Sequence, residues 1–81
     1  MSQAEPGPDA DLYRARLQGA KLAKKDLGGA NLALANLKEA DLRGANLSEA
    51  LLFAAQLGAA NLTGAFLGGA DLSEADLFGA K

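Results

Sequence analysis

The sequence predicts an all-β fold, a square β-solenoid of about 3.5 coils with twenty residues to a coil, and three observations lead there. Cut into fives from Ala10, the chain places Leu third in all fourteen units, Ala first in thirteen, and Asp or Asn second in nine. Ala (19) and Leu (16) supply 35 of the 40 apolar residues while Val and Ile are absent, an unusual balance for a sheet protein. The five-residue period, finally, suits neither standard element. On an α-helix it carries successive leucines about 140° around the axis, so no apolar stripe forms. In a flat strand it sends them to opposite faces. A chain that turns a quarter circle every five residues buries every Leu, and its coils stack at roughly 4.8 Å.

Met1 to Asp9 hold both prolines, Pro6 and Pro8, with Gly7 and no apolar run, and read as a flexible N-terminal tail. Residues 10–81 form the single solenoid domain. Nothing resembles a secretory signal, and no apolar stretch approaches the ~18 residues of a membrane helix. A cytoplasmic location without a membrane span is expected.

Within each unit the residue types match their places. Third-place Leu fills the axis, and first-place Ala is small enough to point inward beside a corner. Second-place Asp or Asn can accept a hydrogen bond from its own backbone two residues on, which suits a corner repeated every five residues. Gly in fifth place, as at Gly19, Gly29, Gly44, Gly64, Gly69 and Gly79, supplies the dihedrals of a tight turn. Lys25 alone breaks the Ala column. A buried ammonium there would be costly, so the first coil is expected to open or distort and let it reach solvent.

The tandem A-[DN]-L-x-x units resemble the pentapeptide-repeat family over residues 10–79. That resemblance implies a right-handed quadrilateral β-helix. It departs from the family pattern in second place at Arg16, Lys21, Leu51, Gln56 and Phe66.

With twenty residues per coil, n and n+20 become neighbours and the sequence resolves into columns. No column places like charges on adjacent coils, a placement that would be destabilising. The first face is the least polar. Tyr13, Leu34, Leu51 and Phe53 fall on it, and Phe66 lies near the corner that leads to it, so these five are candidate partner-binding residues. An uncovered coil is an open strand edge, and Leu72, Leu77 and Phe78 on the last coil are candidates for end-on stacking against a protein partner or a second copy.

Without His or Cys, the usual metal cages, cysteine nucleophiles and imidazole-activated hydroxyls are missing. The Asp/Asn interchange at one place suits a turn role and not a catalytic one. The expectation is a non-catalytic interaction module with no cofactor, metal or small-molecule substrate. Nucleic-acid binding has little support, because the basic residues Arg14, Arg16, Lys21 and Lys24 lack interleaved aromatics. The resemblance implies an alternative, in which the rod mimics duplex DNA and inhibits or protects a type II topoisomerase such as gyrase. Against that stands the charge distribution: residues 1–25 carry five basic and three acidic groups, residues 26–81 three basic and seven acidic.

Overall fold

The computed structural model describes residues 5–81, and from Ala10 onward one backbone device recurs in every five-residue unit. The third-place carbonyl accepts from the N–H three residues on, from Leu12 O with Ala15 N at 2.9 Å to Leu77 O with Ala80 N at 2.9 Å. All fourteen fifth-place residues have positive φ, between 56° and 74°. Positive φ at the third residue of a four-residue turn is what a type II turn requires. These quarter turns make the corners.

The remaining N–H groups tie coil to coil. Ten parallel bridges join residue n to residue n+20, from Asp11–Asn31 to Gln56–Asp76. Third- and fifth-place N–H groups donate to the following coil, as Leu12 N to Asn31 O at 2.8 Å and Arg14 N to Ala33 O at 3.0 Å. Second-place N–H groups donate to the preceding coil, as Asn31 N to Ala10 O at 2.9 Å. Only the fourth-place N–H is left over, and a side chain takes it. Each of the nine second-place Asp and Asn residues accepts it through Oδ1, at 2.9 to 3.3 Å. The four units of coil 2, which carry Asn31, Asn36, Asp41 and Asn46, thereby satisfy their whole set of backbone donors.

Coil 1 spans 10–29, coil 2 30–49, coil 3 50–69, and a partial fourth 70–81. Leu and Ala fill the axis, and every inward Leu from Leu22 to Leu57 is buried. The seal loosens toward the last coil: Leu62, Leu67 and Leu72 are half-buried and Leu77 is exposed. No buried side-chain N or O among the described residues lacks a hydrogen bond.

Two sequence expectations need correction. Lys25 is exposed without opening the first coil, since its N–H still donates to Leu22 O at 3.1 Å and its carbonyl accepts from Asn46 N at 2.9 Å. A flexible four-carbon stem lets the ammonium leave while the backbone stays in register. The regular turns also begin before Ala10. Ala10 N bonds Gly7 O at 3.2 Å, Asp9 has φ 57°, and Asp9 N donates to Gly28 O at 2.9 Å. Gly7 thus occupies a Leu place, and the turn forms without its side chain. The first four residues of the expected tail lie outside the described residues.

Candidate interaction surface

With the backbone of the inner coils spent on turns and ladders, the side chains of the four faces are what the described residues present to solvent. On the first face the bridge column runs Asp11, Asn31, Leu51, Asp71. Leu51 is 46% exposed and Phe53 44%. Leu34 lies beside Phe53, its N–H donating to Phe53 O at 2.9 Å, but is half-buried. Tyr13 shares the column of Phe53 with Ala33 between them, and the Arg14 guanidinium sits 5.6 Å from its ring centroid. The structure therefore brings Leu34, Leu51 and Phe53 together and leaves Tyr13 apart, partly occupied by a cation–π contact. Phe66 stands exposed on the fourth face, bridged to Asn46.

On the second face Phe78 is 88% exposed, the most exposed large apolar side chain among the described residues. It closes one end of a groove of about 440 Å³ lined also by Gln18, Asn36, Lys38, Glu39 and Gly58. The groove is legible in the sequence only through the column 18–38–58–78, where Gly58 lies directly beneath Phe78 and leaves the space open.

The ion pair lies on the third face. Arg43 grips Asp41 with two hydrogen bonds, Nε to Oδ1 at 2.8 Å and Nη2 to Oδ2 at 2.7 Å. These bonds, then the backbone N–H of Arg43 and its charge, hold the Asp41 carboxyl at about 2. Hydrogen bonds from the Ser73 side chain and backbone lower Asp71. Asp41 is engaged by its ion pair with Arg43, and Asp71 by the hydroxyl and N–H of Ser73. Among the described residues no group of His, Cys, Asp or Glu could hold a metal ion, and no helix is long and apolar enough to cross a membrane.

A repeat in which all fourteen third places are Leu, every fifth place turns at positive φ and coils bridge at n+20 is matched by the model for pentapeptide repeats, in eight copies over residues 10–49 and 50–81. The chain belongs to the pentapeptide-repeat family. Its fold is the right-handed quadrilateral β-helix of that family, whose members are generally non-catalytic. A pentapeptide repeat protein from the cyanobacterium Cyanothece 51142 is 42% identical, with a TM-score of 0.87 over 88% of this chain and 48% of that one. HetL, a pentapeptide repeat protein involved in heterocyst differentiation regulation in Nostoc sp. strain PCC 7120, is 43% identical, with a TM-score of 0.55 over 90% of this chain and 36% of HetL. One from the Arabidopsis thaliana thylakoid lumen is 33% identical, with a TM-score of 0.56 over 86% and 45%. The chain thus spans less than half the length of each of these three structures. No curated protein sequence matches it.

Proposed function

We propose that this chain is a non-catalytic, cytoplasmic protein-binding module that docks through its last coil, with the first-face patch as the alternative contact. One observation carries the reading. Leu77, the most exposed of the axial leucines among the described residues, and the outward Phe78 lie on the coil whose third- and fifth-place N–H groups have no backbone partner among the described residues. Apolar surface beside unpaired backbone donors is what a partner contributing another coil or strand would cover. A role for HetL in regulating differentiation agrees with a binding module, because regulation needs recognition and no chemistry from the fold.

The test is co-purification of partners from native extract with the intact chain, Phe78→Asp and Phe53→Asp. Loss with Phe78→Asp alone supports docking through the last coil, and loss with Phe53→Asp alone moves the contact to the first face. Unchanged capture by both variants overturns both surfaces.

A further inference from the structure

The two edges of the solenoid are not alike. Third- and fifth-place N–H groups always donate to the following coil, so the last coil presents a donor-rich edge, from Gly64 N to Gly79 N, interrupted only by first-place carbonyls. The first coil presents the reverse, an edge rich in second- and fourth-place carbonyls, of which Gly28 O accepts from Asp9 N at 2.9 Å. Two last coils facing each other would set donors against donors. A last coil facing a first coil repeats the internal ladder.

Side chains then choose among the rotations that such a junction allows. Second-place side chains on adjacent coils are in reach of each other, as Asn46 Nδ2 and Asp26 Oδ1 show at 3.0 Å. The last coil offers Phe66, Asp71, Asp76 and Lys81 in second place, the first coil Asp11, Arg16, Lys21 and Asp26. Aligned in that order, Arg16 stands over Asp71, Lys21 over Asp76 and Asp26 over Lys81, with Asp11 over Phe66. All three charged pairs are of opposite sign. Turning the copy by one face puts Asp11 over Asp71 and Lys21 over Lys81. Turning it by two puts Asp11 over Asp76 and Arg16 over Lys81. Only the first alignment avoids like charges, which are destabilising when directly opposed.

That alignment also continues the spiral. Lys81 fills the second place of its unit, and Gly7, Pro8 and Asp9 of the other copy, already folded as a third-to-fifth-place turn, fill the next three. Pro6, without an N–H, makes no bridge to Asp26. Leu12, Leu17 and Leu22 then cover Leu67, Leu72 and Leu77.

We infer that the occupant of the last coil is the first coil of a second copy, stacked head to tail with Arg16, Lys21 and Asp26 on Asp71, Asp76 and Lys81. This rests on the reading of the last coil as the docking element. The contact is heterologous and does not close on itself, so copies add in a linear series.

Sedimentation velocity of the 81-residue chain, over a range of concentration at low and high salt, tests it. The expected result is a series of species growing beyond the dimer with concentration and receding in salt. Two double variants reverse or neutralise these charges and keep a second-place acceptor for each turn. Arg16→Asp with Lys21→Asp gives two more second-place carboxylates able to take the Gln18 and Ala23 N–H groups, and Asp71→Asn with Asp76→Asn keeps both Oδ1 acceptors. The first is expected to weaken association by about a hundredfold through like-charge contact, the second by about tenfold. Circular dichroism like that of the unaltered chain shows the fold intact. Growth that stops at a dimer, or is indifferent to Arg16→Asp with Lys21→Asp, overturns the head-to-tail contact. A chain that stays monomeric at every concentration overturns the second copy as occupant. If partner capture is nevertheless lost with Phe78→Asp, docking through the last coil stands with a different partner.

Discussion

At the residue scale, the second place of each unit carries a role that can be measured one side chain at a time. Gln56 sits between Asn36 and Asp76 in its column, and both neighbours bond the N–H two residues on, to Lys38 at 3.1 Å and Phe78 at 3.0 Å. Gln56 makes no such bond to Gly58 N, because its amide sits one methylene too far. Gln56→Asn is expected to stabilise the fold by about 0.5 to 1.5 kcal/mol, and Asn36→Ala to destabilise it by a similar amount, both read by urea unfolding. Asp41 separates the turn bond from the ion pair. Its carboxyl, with an ordinary value of 3.8, is held at about 2 in the folded chain. A depressed carboxylate contributes stability that is complete above the unfolded value and lost as pH falls toward the folded one, here between about pH 4 and 2. Asp41→Asn keeps the bond to Arg43 N but cannot titrate. Its stability at neutral pH should change little, since the pair is exposed, while the Asp41 share of the acid decline disappears.

At the element scale, each coil is sealed by its neighbours, so the same substitution should cost less toward the open end. Leu47 is fully buried and Leu77 is 42% exposed. Leu47→Ala is expected to cost about 2 to 5 kcal/mol, and Leu77→Ala less than about half of that, because solvent already reaches the site. Equal losses in denaturant unfolding would mean that the last coil is covered under the conditions used. How much of this was legible beforehand follows from the same periodicity. The Leu column, the Asp and Asn turn bonds and the n+20 register could be read directly, because a five-residue period has one compact solution. Lys25 misled, since residue type alone does not say whether a long stem can carry its charge out while the backbone holds register. Gly7 misled as well: two flanking prolines pointed to an irregular tail, yet Pro8 suits the fourth-place position of a type II turn, where φ near −65° is wanted. The groove beside Phe78 escaped because a cavity is made by what is missing, here a side chain at Gly58.

At the scale of the whole molecule, the distribution of charge along the rod decides between binding a protein and imitating a nucleic acid. About 3.5 coils at roughly 4.8 Å give a rod near 17 Å, the length of about five base pairs. Duplex DNA of that length presents phosphates continuously on both strands. Here the acids are sparse and partly neutralised: Asp41 is held by Arg43, and the first coil carries Arg14, Arg16, Lys21, Lys24 and Lys25 against Asp11 and Asp26. A groove built to bind phosphates would meet cations over the first third of such a rod and be repelled by them. Head-to-tail stacking does not repair this, because each junction brings the basic coil of one copy onto the acidic coil of the next and cancels charge where a mimic needs it concentrated. Supercoiling by a type II topoisomerase is therefore expected to proceed unchanged in the presence of excess chain, at low and moderate salt alike. Inhibition that weakens with added salt would show that the acidic faces of Asp71, Glu74 and Asp76 are enough on their own, and would put the DNA-like reading ahead of the protein-binding one.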